Sequence, residues 1–347
     1  MTARPTVLPA ARRTPQLATQ PTDPPTPQRG ARLLGIGGYR PPRVVYNEEI
    51  CEAINSSDEW IRRRSGVVTR QYADTDTVVS MGTEAARKAL AAAGIAAERV
   101  DTVLLASMSY LHQSPPAAPQ VAHALGATAS AAMDVGAACA GFCHALALAD
   151  SLVRAGTSRC VVVVGTEKMT DVIDPTDRST AFLFGDGAGA VVVGPADTRD
   201  IGPVCWGADG SRGSLIAHSS SWLGARSGGP WPTMRMRGSE VFRWVLQEIA
   251  PVAAEAVAAA GITVADLAAF VPHQANLRLI TGLAKALGLP PSVVIADDVR
   301  TAGNTSAASI PLALERLADS GAVGPGDRVL LSGFGAGLSY ASQVITL

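Results

Sequence analysis

Apolar positions in this chain recur with two periods, and the alternation between them predicts the fold class. Ala89-Leu90-Ala91-Ala92-Ala93 runs into Gly94, a helix with its stop, and the apolar run Val103–Ala106 follows as a buried strand. Ala256-Val257-Ala258-Ala259-Ala260 runs into Gly261 in the same way, and the strand Ala269–Pro272 follows. Ala122-His123-Ala124-Leu125-Gly126 matches Ala284-Lys285-Ala286-Leu287-Gly288, and the helical stretch Ala145–Gly156 matches Ile310–Gly321. Phe184-Gly185-Asp186-Gly187-Ala188-Gly189, entering the strand Ala190–Val193, closes the first half as Gly333-Phe334-Gly335-Ala336-Gly337 closes the second. One match between alanine-rich helices is weak, but four in the same order predict two fused α/β halves. The register of the helices, carried back, sets Cys139 opposite Asn304. Packed about a pseudo-twofold axis, the helices after these residues lie side by side, buried and apolar nearly all round through Ala145-Leu146-Ala147-Leu148 and Ile310-Pro311-Leu312-Ala313-Leu314.

Composition bounds this picture. The chain has 347 residues, 47% hydrophobic and 17% charged, ample apolar area for buried central elements. Pro5, Pro9, Pro15, Pro21, Pro24, Pro25 and Pro27 set residues 1–31 apart as a disordered tail, leaving a body expected to divide into residues 32–200 and 201–347. There is no export signal or membrane span in this pattern, so a cytoplasmic location is expected. A net charge of -1 gives no general attraction to nucleic acid or anionic membrane. The cysteines Cys51, Cys139, Cys143, Cys160 and Cys205 are odd in number and lack metal-ligand spacing, so neither disulfides nor zinc are expected.

Cys139 carries the candidate chemistry. It follows the apolar run Ala131–Val135 and opens the helical stretch Phe142–Ala155. A thiol at the first turn of a helix faces unpaired amides and the positive end of the macrodipole, which predicts a lowered pKa. His273 ends an apolar strand in Val271-Pro272-His273-Gln274-Ala275-Asn276, and Asn304 sits in the turn Gly303-Asn304-Thr305-Ser306 before the helix Ser309–Asp319. Three reactive groups, each at the mouth of a regular element, form the pattern of a catalytic constellation. Cys143 reads as a packing thiol and His144 as an imidazole satisfied within the body, while His112 and His218 lie in loops without a partner. Asp186 lies between glycines, but a strand follows it and not a helix, which argues against nucleotide binding.

Ala138-Cys139-Ala140-Gly141-Phe142, Pro272-His273-Gln274-Ala275-Asn276, Gly303-Asn304-Thr305-Ser306 and Gly333-Phe334-Gly335-Ala336-Gly337 together resemble β-ketoacyl-acyl-carrier-protein synthase III, as do Ser57-Asp58-Glu59-Trp60-Ile61 and Asp174-Pro175-Thr176-Asp177-Arg178, from about Arg32 to Leu347. The resemblance implies a thiolase-like fold, two duplicated α/β halves in a five-layer αβαβα sandwich, usually as a homodimer. It implies that Cys139 takes an acyl group from an acyl-CoA primer and that malonyl-acyl-carrier protein is then decarboxylated and condensed with it. In that reading the amides of Cys139 and Ala336 hold the oxyanion, and His273 and Asn304 stabilise the enolate as neutral donors. Ala336 stands where the family usually has Gly.

The same resemblance assigns Trp60 and Arg178 to the CoA adenine, and Arg64, Gly238 and Asn276 to its pantetheine and phosphates. Arg243, Arg278 and Lys285, with Arg235 and Arg237, are expected to form a basic surface for an acidic carrier protein. Small residues at Ser114 and Pro115 replace a bulky aromatic near the acyl pocket, which predicts acceptance of longer or branched primers. No cofactor beyond the CoA substrate is implied. The composition and Phe142-Cys143-His144-Ala145-Leu146 also look like priming synthases of actinobacterial aromatic polyketide pathways. Rival readings are an acyltransferase that passes the acyl group to another acceptor without condensation, a biosynthetic thiolase, which lacks its second cysteine here, and a silent partner subunit, which would not keep all three groups.

Overall fold

The computed structural model describes residues 30–347; the predicted tail lies outside them, apart from its last two positions, which belong to the first strand. Two five-stranded sheets organise the chain. The first runs Gly30–Tyr39, Gly187–Ala196, Val161–Glu167, Thr102–Ala106, Ala131–Asp134, and the second Cys205–Ala208, Ser339–Thr346, Arg328–Gly335, Ala269–Pro272, Val294–Ile295. Read in those orders, both sheets show two antiparallel pairings followed by two parallel ones. The duplication legible in the sequence is therefore a duplication of topology.

The layers follow from the period of two along the strands. In the first sheet Leu104, Val161, Val163, Val191 and Val193 face inward onto Phe142, Leu146, Ile310 and Leu314, while Val103, Leu105, Val162, Val164 and Val192 face outward onto Met81, Ala85 and Val121. In the second sheet Val271, Val329 and Leu331 join the same inner core, and Phe270, Leu330 and Val344 pack outward on Trp244, Val257 and Leu283. Two helices, Gly141–Arg154 and Ser309–Asp319, thus lie between two sheets that are themselves covered by helices: a thiolase-like αβαβα sandwich. Glycine closes the outer helix Val78–Ala93 as expected, with Gly94 in the left-handed conformation at φ 64°.

Two expectations are corrected. Leu148 is 36% exposed, so the first central helix is not buried all round. The register is also one turn off. Ala138 (φ 45°) and Ser306 (φ 47°) open equivalent tight turns, Ala138–Ala140 and Ser306–Ala308, and the helices start at Gly141 and Ser309. Cys139 therefore corresponds to Ala307, not to Asn304. The slip arose because the sequence match was anchored on the C-terminal glycines, whereas the first helix has 14 residues and the second 11.

Candidate active site

A cavity of about 780 Å³ runs from exposed Arg64, Arg178, Arg243 and Arg278 to buried Cys139, His273 and Asn304. The three groups come from different elements: Cys139 from the tight turn before the first central helix, His273 from the end of the Ala269–Pro272 strand, Asn304 from the turn before the second central helix.

Each is held in one orientation. The Gln274 amide donates to Ser309 Oγ at 3.3 Å, so the Ser309 hydroxyl proton is free for His273 Nδ1 at 2.8 Å. Donation of that proton to Nδ1 is the arrangement that sets the imidazole proton on Nε2, away from Ser309. Complete burial pushes the His273 pKa down to about 3, so the ring is neutral. The Asn304 backbone is pinned on both sides by Leu183 and Gly185, and its Oδ1 accepts from the Ser306 amide at 2.9 Å. The Nδ2 hydrogens are thereby available to the cavity. Neutral donors, not a charged acid, line its floor.

The thiol departs from expectation. Burial raises the Cys139 pKa to about 12, outweighing the lowering contributed by its own amide and by Ser306. The sequence shows the helix start but not the depth at which it lies, and desolvation prevails over the macrodipole there. Gly335 closes the space beside the sulfur: a Cβ there would lie 2.7 Å from Cys139 Cβ. The cavity lining stops at Gly335 and does not include its neighbour Ala336.

Trp60, Arg64, Arg178, Gly238 and Asn276 all line the same cavity, with the Arg178 guanidinium 4.9 Å from the Trp60 ring centre. Asn276 also caps the helix Leu277–Ala286 through the Leu279 amide. The basic set divides. Arg243 and Arg278 stand at the mouth; Lys285 is exposed but outside the lining; Arg235 is engaged by Asp174 and Asp177, and Arg237 lies 3.8 Å from Glu240. Arg235 is therefore not a free cation for a partner. Ser114 and Pro115 are exposed in the loop before the helix Ala117–Leu125 and do not line the cavity within one chain.

Among the other groups, Cys143 is a buried free thiol, His144 Nδ1 meets the Ala140 carbonyl, and Asp186 is consumed by Ala73 and Thr170. His218 is not in a loop but pairs with Met234 in a two-stranded antiparallel sheet, its ring against Trp222. Sequence reasoning missed Ser306, whose hydroxyl lies 3.3 Å from Cys139 Sγ, as well as Ser309, Phe334 against the His273 ring, and the buried Glu167. Glu167 left a signal, since it ends an apolar strand as His273 ends its own.

Residues 133–210 match the family model of 3-oxoacyl-(acyl-carrier-protein) synthase III, and residues 257–347 match that of its C-terminal part. The chain is 51% identical to the beta-ketoacyl-(acyl-carrier-protein) synthase III of Streptomyces glaucescens, over 91% of this chain and 96% of the relative. With synthase III 1 of Streptomyces coelicolor it shares 49% identity over 92% and 98% of the two chains. The priming beta-ketosynthase of the R1128 polyketide biosynthetic pathway superposes with a TM-score of 0.91 at 49% identity, covering 94% of this chain and 99% of that one. The 3-oxoacyl-(acyl-carrier-protein) synthase III of Aquifex aeolicus superposes at 0.85 with 35% identity, covering 92% and 100%.

Proposed function

Because this chain belongs to the β-ketoacyl-acyl-carrier-protein synthase III family, a family of condensing acyltransferases, we propose that Cys139, His273 and Asn304 carry its reaction. The observation behind this is their convergence on the buried floor of one cavity. The Cys139 sulfur attacks the thioester carbon of an acyl-CoA, the oxyanion is held by the Cys139 and Ala336 amides, and CoA leaves as its thiolate. Malonyl-acyl-carrier protein then loses CO2. The electron pair left behind forms an enolate whose oxygen takes hydrogen bonds from His273 Nε2 and Asn304 Nδ2. The enolate carbon attacks the acyl-Cys139 carbonyl, and collapse releases the β-ketoacyl product and the Cys139 thiolate. No step asks for a resident cofactor.

Trp60 and Arg178 hold the adenine by stacking, with Arg64, Gly238 and Asn276 along the rest of the CoA path. Arg243 and Arg278 receive the acidic carrier protein at the mouth, and Lys285 extends that surface. The likeness to a priming ketosynthase supports initiation of polyketide chains as well as of fatty acids. A cytoplasmic homodimer completes the reading; among the described residues no helix is long and apolar enough to cross a membrane, and all five cysteines are free.

The test offers acetyl-, butyryl-, isobutyryl- and hexanoyl-CoA in turn with malonyl-acyl-carrier protein and reads acylation at Cys139 and the condensed product by intact mass. Acylated Cys139 with no condensed product from any primer would replace condensation by plain acyl transfer. Undiminished acylation in Cys139→Ala would end the assignment.

A further inference from the structure

The primer and the enolate must meet in a fixed relation, yet the groups assigned to them stand on separate pieces of the chain. Trp60 and Arg64 lie on the helix Asp58–Ser65, and Asn304 lies on the turn before the second central helix. The short strand Thr69–Tyr72 carries a residue the reaction above does not use, Arg70, a guanidinium with no exposed surface. Its Nη2 donates to Asn47 Oδ1 at 2.7 Å and to the Phe182 carbonyl at 2.9 Å, while Nε and Nη1 have no partner among the described residues. Neither acceptor is a carboxylate. Burying a cation against neutral acceptors costs stability, and an apolar side chain of similar size would fill the space more favourably, so packing alone does not account for an arginine here.

Each of its two bonds leads to one part of the site. Asn47, also fully buried, donates through Nδ2 to Asp58 Oδ1 at 2.7 Å and to the Val67 carbonyl at 3.0 Å. Those contacts fix the first residue of the helix bearing Trp60 and Arg64 and the chain just past its end. Phe182 packs its ring edge-on against Trp60, 5.1 Å between centres, and the next carbonyl, that of Leu183, accepts from the Asn304 amide at 2.8 Å. The Arg70 strand also grips the approach to Asn304, for the Val68 amide donates to the Arg300 carbonyl at 2.7 Å and the Thr69 hydroxyl to the Thr301 carbonyl at 3.0 Å. Glycine on both sides of the Asn304 contact admits the side chain: a Cβ on Gly185 or on Gly303 would lie 3.1 Å from Arg70 Cβ.

We propose that Arg70 is a positioning residue for both half-reactions, holding the primer helix through Asn47 and the Asn304 turn through Phe182 in one fixed relation. It stands behind the cavity wall and acts through these neighbours, touching neither substrate nor the reacting atoms.

This rests on the reading of Cys139, Trp60 and Asn304 given above. Full-length wild type, Arg70→Met and Asn47→Ala are compared by three readouts per folded molecule: KM for acyl-CoA in the loading of Cys139, condensation of the pre-acylated enzyme with malonyl-acyl-carrier protein, and alkylation of Cys139 by iodoacetamide. Arg70→Met is expected to raise KM about fivefold, the worth of one hydrogen bond, and to slow condensation at least about tenfold, since small misplacements are magnified in rate. Cys139, on the turn before the other central helix, should alkylate at the wild-type rate. Asn47→Ala should raise KM and leave condensation as it is. A residue that only stabilised the fold would lower the urea midpoint of Arg70→Met and leave KM and condensation alone, and that result overturns the proposal. A change in just one of the two, or alkylation slowed as much as condensation, overturns it as well. Should Arg70→Met not fold, an unchanged KM in Asn47→Ala does so. Wild type that acyl-CoA does not load at Cys139 defeats the underlying reading instead.

Discussion

In the proposed reaction His273 and Asn304 act as neutral donors, each with its other polar atom engaged, His273 by Ser309 and Asn304 by the Ser306 amide. Asn304→Ala removes the Nδ2 donor from the decarboxylation step alone. Condensation should therefore fall about 10²-fold while acyl-CoA still loads Cys139, a split that single-turnover acylation against steady-state condensation will read. The pH behaviour of His273 follows from its burial. The unfolded chain takes a proton on this ring near pH 6.5, but the folded one only near 3. The contribution to stability is thus present above pH 6.5 and lost as pH falls toward 3, and condensation should show no acid limb from this ring between them. A titration of kcat with an inflection abolished by His273→Gln would contradict it. At this scale the sequence was half legible. Residue types at element ends were visible, because a polar group after an apolar run stands out. The direction of the Cys139 pKa was not, because it depends on burial by the second half of the chain, which no local pattern records.

Between elements, the close approach of strand to helix is set by glycine. Gly335 brings the Arg328–Gly335 strand end against Cys139, where a Cβ would meet Cys139 Cβ at 2.7 Å and its amide nitrogen at 3.0 Å, neither the end of a flexible side chain. Gly335→Ala should cost about 1–3 kcal/mol of stability, measured by urea unfolding, and slow acylation of Cys139 by at least about tenfold, since small displacements of a nucleophile are magnified in rate. An alanine variant that acylates at the wild-type rate would mean the turn yields freely. Strand and helix positions were read well here: Ala269–Pro272 and Ser309–Asp319 stand in the structure with the predicted bounds. The register between the two central helices was not, because three residues are one turn, and a slip of one turn keeps the same helical face buried.

For the whole molecule, each sheet of the sandwich ends in edge strands, and the edge at Ala131–Asp134 carries an exposed apolar side chain. Among the described residues the strand Ala131–Asp134 pairs only with Thr102–Ala106, so its outer row of amides and carbonyls has no strand partner there, and Met133 on it is 46% exposed. Leu148 lies one turn beyond His144 on the first central helix, 36% exposed, and Trp206, 49% exposed, stacks on His144 at 5.5 Å. An open edge of this kind invites pairing with another strand, and a second copy offers the same strand and the same apolar groups about a twofold axis. Sedimentation velocity at micromolar concentration should therefore give twice the chain mass. Met133→Asp, which sets a carboxylate on that edge, should move the mass toward one chain, because like charges facing each other across paired strands oppose association. The substitution lies away from Cys139, His273 and Asn304, so a monomeric variant that still loads its acyl group would show that one chain holds a complete loading site. A wild type that sediments as a single chain would mean that this edge is covered by something other than a copy of itself.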